Sequence, residues 1–191
     1  MSDEKILVND DCFLDGGPIY FRSPTENDVT TGNWYKWSND CVITKYTRRG
    51  IFPNTIEDQL NYLNQMRNSS TDVIFAIIDK GSNEHIGSVG LHNINWIHRV
   101  ANLGIVIGNR DYLGKGYGKI AWNMITWYGF YALNLQKINA QIMKGNVASR
   151  KSAEDSGYKL EGEIRNMFFK NGEYLNVYHM GILRDEFKKI F

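Results

Sequence analysis

Cysteine and proline are both scarce in this chain of 191 residues, which has two of the first and three of the second. Two cysteines, Cys12 and Cys41, are too few for a disulfide scaffold, and without a CxxC pair they indicate no zinc site. The prolines lie at positions 18, 24 and 53, and no Pro-, Gly- or Ser-rich linker divides the chain. We therefore expect one domain over residues 1–191 and no metal site.

Neither sign of charge dominates, because 22 Lys and Arg residues face 21 Asp and Glu residues. The net charge of +1 supplies no long-range field that favours nucleic acid or an anionic membrane. The first residues are acidic where a signal peptide needs a basic start, and the longest apolar run, residues 73–78, is too short to span a bilayer. The sequence thus predicts a cytoplasmic protein with neither partner.

Strand-like and helix-like patterns alternate irregularly along the chain, and 42% of its residues are hydrophobic, enough for a core. One helical pattern lies between two strands and predicts a strand-helix-strand crossover. The predicted class is therefore α+β, or mixed α/β. The predicted strands cover residues 19–22, 73–78, 86–94, 100–107, 137–143, 158–164 and 174–183, and the predicted helices cover 28–37, 55–66, 119–133 and 146–156.

Glycines occupy every second position at Gly114, Gly116 and Gly118, between a predicted strand and a predicted helix. Such a loop turns backbone N–H groups toward one point, and the helix dipole adds positive charge, so the pattern favours a bound pyrophosphate over a plain connecting loop. The spacing does not match the dinucleotide fingerprint G-x-G-x-x-G. It also fails the Walker A motif, because Ile120 offers no hydroxyl for magnesium.

Residues 113–118 resemble the pyrophosphate loop of the GNAT N-acetyltransferase superfamily, [Arg/Gln]-x-x-Gly-x-[Gly/Ala], although Leu113 stands where the family usually has Arg or Gln. Residues 146–149, followed by Gly157 and Tyr158, resemble the family's N-x-x-[Ala/Ser] helix and its Gly-[Phe/Tyr] ending. Residues 160–165 and 172–174 are typical of the branch that contains ribosomal-protein N-terminal acetyltransferases and many amino-sugar acetyltransferases. The resemblance covers roughly residues 18–186.

This resemblance implies a central twisted mixed sheet flanked by helices, and an acetyl-CoA site. The backbone of Ile105, Val106 and Ile107 would pair with pantetheine as an added strand does, because its two amides need partners in a partly dry cleft. Asn146 and Ser149 would face the thioester end. The pyrophosphate would lie against Leu113, Gly114, Lys115, Gly116, Tyr117, Gly118 and Lys119.

The catalytic groups are harder to assign from the sequence. Many relatives carry Glu where this chain has Asn102, and others carry a tyrosine acid where it has Ala153, so neither usual residue is present. His92 is the candidate that titrates near neutrality, unless it is a strand histidine satisfied by a neighbour. Ser149 would protonate the leaving thiolate or, alternatively, only cap its helix. The backbone N–H of Val106 or Ile107 would hold the oxyanion, and ordered water could replace a dedicated base.

The acceptor is expected at Trp34 and Trp37, which share a helix face and would stack on a sugar or base, and at Arg48 and Arg49, which would meet a phosphate. Alternatively, the tryptophans pin the helix and the arginines are solvated. The pattern resembles acetyltransferases of nucleotide-linked amino sugars for bacterial surface glycans. Acetylation of a protein's N-terminal amine, as on a ribosomal protein, and a non-catalytic acyl-CoA-binding module are the alternatives, and a homodimer stays open.

Overall fold

The computed structural model describes residues 11–191. Strands and helices alternate in a mixed order, as expected for the α+β class. The strands are β1 (Leu14–Asp15), β2 (Ile19–Arg22), β3 (Val73–Asp79), β4 (His85–Asn95), β5 (Val100–Ile107), β6 (Lys137–Met143), β7 (Lys159–Lys170) and β8 (Glu173–Leu183). The helices are α1 (Glu26–Thr30), α2 (Trp34–Trp37), α3 (Cys41–Thr44), α4 (Ile56–Arg67), α5 (Tyr117–Tyr131) and α6 (Val147–Asp155).

The eight strands form one sheet in the order β1-β2-β3-β4-β5-β6-β8-β7. Every neighbouring pair is antiparallel except β5 and β6, which are parallel and are connected through the crossover helix α5. The predicted mixed sheet with flanking helices is thereby confirmed. The predicted Asn-Gly hairpin turn is also present, since Asn171 and Gly172 both have positive φ angles, of 52° and 86°.

The parallel pair is short, and this opens the sheet in its middle. Residues 100–103 of β5 pair with residues 137–140 of β6, and the pairing then stops. Within residues 11–191, the remaining part of β5, residues 104–107, is paired with β4 alone. Backbone hydrogen-bonding groups of β5 are therefore left facing a gap.

Helix α5 packs across one face of the sheet and is enclosed on both sides. Met124, Ile125 and Phe130 are fully buried, and Gly129 approaches the sheet so closely that an added Cβ would lie 2.7 Å from Ile138. On the outer side, the Asn123 side chain hydrogen-bonds to the backbone of the C-terminal segment. The residues from Ala121 to Thr126, all around the helix, are accordingly buried.

The opposite face is covered near β3 by α1, α2 and α4, where Val29, Trp34, Trp37 and Leu63 form a second core cluster. One helix over residues 28–37 is the wrong prediction here, because α1 ends at Thr30 and α2 begins at Trp34. Strand β1 and helix α3 are short elements that were not predicted, and β7 extends to Lys170, past the predicted end at residue 164. The cavity that forms the candidate site adjoins this cluster, because Trp34 and Trp37 also line it.

Candidate active site

The glycine-rich loop supplies a group of unused backbone donors at the start of α5. Gly114 and Gly116 have φ angles of +75° and +85°, in the left-handed region that favours glycine. Gly116 is the N-cap of this 15-residue helix, and no side chain caps it. Within the described chain, the N–H groups of residues 114–118 donate no hydrogen bond. An anion at this point would meet free donors and the positive end of the helix dipole.

Side chains around the loop hold it in place and keep its glycines accessible. An added Cβ at Gly114 or Gly116 would have no neighbour within 4 Å. Interaction with the nearby carboxylate of Asp79 raises the pKa of the Tyr117 hydroxyl. The amino group of Lys119 lies 3.3 Å from the carboxylate of Asp155 on α6, so this predicted binding residue is already ion-paired.

Two further predicted loop residues, Leu113 and Lys115, are exposed. The side chain of Leu113 retains 45% of its exposure, and no positive charge takes the place of the family's usual Arg or Gln there. The Lys115 amino group lies 4.6 Å from the ring centroid of Tyr112. Contact with an anion in this loop therefore falls mainly to backbone N–H groups.

A cavity of about 670 Å³ opens where β5 separates from β6. Ile105 and Val106 line it, as do Asn146 and Ser149 at the start of α6. The Asn146 side chain accepts the Ser149 N–H at 3.2 Å, so Asn146 provides the N-cap. The Ser149 hydroxyl makes no hydrogen bond to the described residues and is half-buried beside the cavity.

His92, on β4, also lines this cavity, and its cross-strand partner on β5 is Asn102. Its Nδ1 is 3.0 Å from Oδ1 of Asp72, which immediately precedes β3. Burial raises the pKa of Asp72, but hydrogen bonds from Ser69 and His92 outweigh it and leave that pKa lowered. Asp72 could not be identified from the sequence alone, because only the pairing of β3 with β4 brings it to His92.

Trp34 and Trp37 contribute to the inner wall of the cavity, but they are only 5% and 7% exposed. Their rings pack edge-on around His85, with centroid separations of 5.7 Å and 4.9 Å. The Trp37 ring also lies against the backbone of Gly108. Little ring face is left to stack on a sugar or base, so the structure favours the packing role of both tryptophans.

Arg48 and Arg49 lie at the mouth of the cavity, where Arg48 is exposed and Arg49 is half-buried, and both contact neighbouring side chains. The Arg48 guanidinium donates to Oε1 of Gln141 at 2.7 Å and lies 5.0 Å from the ring centroid of Phe168. The Arg49 guanidinium lies 4.4 Å from the ring centroid of Tyr62. Neither arginine forms an ion pair with a carboxylate of residues 11–191.

A buried lysine fixes the segment that carries these arginines. Lys170, at the end of β7, is 7% exposed and donates to the carbonyl oxygens of Thr47 and Arg49. Burial lowers the pKa of Lys170. Asp72 is the single acidic side chain among the described residues that line the cavity, so the acceptor region has more positive than negative charge.

The described residues contain neither a metal-binding cluster nor a membrane-spanning helix. Residues 11–191 contain no group of three or more His, Cys, Asp or Glu side chains arranged to hold a metal ion. No helix in that range has the length and apolar character needed to cross a membrane.

Comparison with known proteins gives a consistent family assignment. Residues 19–159 match a family model described as an acetyltransferase (GNAT) domain. An uncharacterized N-acetyltransferase p20 of Bacillus licheniformis is 29% identical over 153 residues, which cover 79% of this chain and 85% of the relative. A spermidine N(1)-acetyltransferase of Vibrio cholerae is 33% identical over 111 residues, covering 58% and 64%.

The solved structures include similar folds. A spermidine N-acetyltransferase from Vibrio cholerae, crystallised in complex with CoA and spermine, superposes with a TM-score of 0.80 at 26% identity. The match covers 88% of this chain and 97% of that one. The family-level resemblance is confirmed, whereas the branch of ribosomal-protein and amino-sugar enzymes is not.

Proposed function

Because the chain belongs to the GNAT acetyltransferase family, we propose that it acetylates a primary amine on an acceptor that also carries an anionic group. Membership makes the chain an acetyl-CoA-dependent N-acetyltransferase rather than a non-catalytic binding module. The observation that carries the acceptor assignment is the pair of guanidinium groups, Arg48 and Arg49, at the mouth of a cavity with one carboxylate. A nucleotide-linked amino sugar carries both a primary amine and an anionic diphosphate, which the two guanidinium groups would bind.

The donor would lie along the opening between β5 and β6. The unpaired backbone of residues 105–107 would hydrogen-bond to the pantetheine amides as an added strand does. The N–H groups of residues 114–118 would hold the pyrophosphate. This placement brings the thioester to the cavity beside Ser149 and His92.

In the proposed reaction, the neutral amine attacks the thioester carbonyl, forming a C–N bond while the C–S bond breaks. Nε2 of His92 takes the proton that the amine nitrogen loses. The backbone N–H of Val106 or Ile107 holds the oxyanion. The leaving thiolate takes the hydroxyl proton of Ser149, which water restores. The Asn102 amide, opposite His92, hydrogen-bonds to the acceptor but does not take a proton.

A polyamine is the second candidate acceptor, favoured by the similarity to spermidine acetyltransferases. A polycation would have to be balanced by several carboxylates, because unpaired like charges repel strongly in a partly dry cavity. Here Arg48 and Arg49 face one carboxylate, Asp72, which already accepts hydrogen bonds from its neighbours. The charge of the cavity therefore favours an anionic acceptor over spermidine.

Thiol release from acetyl-CoA tests the acceptor with four amines: a UDP-amino sugar, a dTDP-amino sugar, spermidine and a peptide with a free N-terminus. We expect turnover of an amino sugar and little with the other two. Arg48→Ala and Arg49→Ala should each raise KM about tenfold or more with kcat nearly unchanged. Arg67→Ala, on the exposed end of α4 and away from the cavity, is the matched control.

Fast turnover of spermidine, increased by Arg48→Ala, would instead establish the polyamine. Fast turnover of the peptide alone would establish N-terminal acetylation.

A further inference from the structure

We infer that Asp72 is a positioning residue, which holds the His92 imidazole in the tautomer and orientation that proton transfer from the acceptor requires. The inference rests on the proposed role of His92 as the base. Asp72 and His92 are 20 residues apart in the chain and meet through the antiparallel pairing of β3 with β4. No group of Asp72 is required to touch the acceptor.

Four donors fix the Asp72 carboxylate. Its Oδ2 accepts from the hydroxyls of Ser69, at 2.7 Å, and Thr71, at 3.1 Å. Its Oδ1 accepts from Nδ1 of His92, at 3.0 Å, and from the backbone N–H of Asn93, at 3.3 Å. An ionised carboxylate can only accept hydrogen bonds, so the imidazole carries its hydrogen on Nδ1. The lone pair is then on Nε2, the atom left free to take a proton.

Two glycines make room for the imidazole at the point where the sheet opens. Gly90 on β4 and Gly104 on β5 are direct cross-strand partners. An added Cβ would lie 3.1 Å from Nε2 of His92 at Gly90 and 3.3 Å from it at Gly104. The ring therefore lies over this glycine pair, one residue beyond Leu103, where the pairing of β5 with β6 ends. Nε2 is thus directed toward the start of the gap that would hold the thioester.

The charged and titratable groups around this pair come from two other segments. Tyr62 on α4 is mostly buried, which raises its pKa, while Arg49 lowers it and the charge of Asp72 raises it again. Arg49 lies over the ring of Tyr62. From β5 the facing side chain is the uncharged Asn102. Among residues 11–191, Asp72 is accordingly the one group in direct contact with His92 that can stabilise a positive imidazolium.

Three variants separate positioning from a purely structural role of Asp72. Asp72→Ala removes the charge and the hydrogen-bond acceptor, Asp72→Asn removes the charge but keeps an acceptor oxygen, and Ser69→Ala removes one donor while keeping the carboxylate. Long-range ¹H–¹⁵N correlation spectra report the tautomer of His92, which His92→Gln identifies among the four histidines. We expect the Nδ1–H tautomer in wild type, Asp72→Asn and Ser69→Ala, and its loss in Asp72→Ala.

Kinetics with the UDP- or dTDP-amino sugar should follow the same order. Asp72→Ala should lower kcat by about tenfold to a hundredfold, part of the roughly 10² to 10⁴ that a positioned base supplies, with KM changed much less. Asp72→Asn should recover part of the rate. In Asp72→Asn, the acidic limb of the plot of log(kcat/KM) against pH should shift to lower pH by about one unit, because the carboxylate that stabilises the imidazolium is gone. Ser69→Ala should keep the wild-type limb.

A double-mutant cycle completes the test. In a His92→Gln background, Asp72→Ala should cause less than about a twofold further loss of kcat, because Asp72 acts through His92. An undiminished loss in that background, or an unchanged His92 tautomer in Asp72→Ala, overturns the positioning role. If His92→Gln itself keeps full turnover, the assignment of the base fails instead. If it abolishes turnover while Asp72→Ala keeps the wild-type rate, only the role of Asp72 fails.

Discussion

Gly116→Glu is expected to abolish acetyl-CoA binding while leaving the fold intact. Gly116 combines a φ of +85° with open space, so the Cβ of the new side chain would meet no protein atom within 4 Å. The left-handed conformation costs a non-glycine residue about 1 to 2 kcal/mol. For a domain of this size, that cost lowers Tm by about 2 to 8 °C.

The effect on binding should be far larger than the effect on stability. The carboxylate of the variant would project at the helix N-terminus, where the pyrophosphate is expected. Two like charges about 4 Å apart near a protein surface repel by about 4 kcal/mol, which corresponds to about a 10³-fold weaker affinity. Isothermal titration calorimetry with acetyl-CoA measures this loss. Added salt should reduce it, because ions screen exposed charges.

Gly172→Glu is the matched control for this variant. Gly172 has a φ of +86° and equally open surroundings, but it lies in the β7–β8 turn. It should lose a similar amount of stability and bind acetyl-CoA normally. Gly116→Ala should show the strain without the repulsion. Binding by Gly116→Glu within about threefold of wild type would refute the placement of the pyrophosphate in this loop.

Two further predictions concern groups elsewhere in the site and the core. Asp28, 6% exposed, forms an ion pair with Arg22 at 2.6 Å and lies 3.3 Å from Nδ1 of His85. Burial raises the pKa of Asp28, but the interactions with Arg22 and His85 lower it by more, so the net shift is downward. The ionised Asp28 therefore stabilises the fold above about pH 4, and this stabilisation is lost as pH falls through the lowered pKa. Urea unfolding should show Asp28→Asn destabilised by about 3 kcal/mol at pH 7 and by much less at pH 2. Gly104→Val should displace the His92 ring and lower kcat at least tenfold; wild-type kcat would show that the ring position is immaterial.

The sheet and the glycine loop could be predicted because their signals are local. Strand alternation, the Asn171-Gly172 turn and the spacing of Gly114, Gly116 and Gly118 each depend on a few consecutive residues. The break in the predicted helix over residues 28–37 was less visible. Gly32 ends the first turn there by donating its N–H back to the carbonyl of Asn27, at 2.8 Å.

The catalytic neighbourhood could be predicted only in part. The predicted hairpin points to His92 and the family resemblance points to Asn102, and the structure makes them direct cross-strand partners. The contact of His92 with Asp72 depends on the register between β3 and β4. The hydrogen bond from Lys170 to the carbonyl of Arg49 joins residues that are 121 positions apart in the chain. Such contacts depend on how the strands pair in the folded sheet, and they produce no periodic pattern in the sequence.

The short pairing of β5 with β6 has a mechanical consequence. Within the sheet, four residue pairs join the strands β1–β5 to the strands β6–β8 across this seam, and α5 packs over it. A bound pantetheine would add backbone hydrogen bonds at this seam and so stabilise the sheet there. Amide protons along the seam should therefore exchange with solvent much more slowly once the donor is bound, and the melting temperature should depend on its concentration.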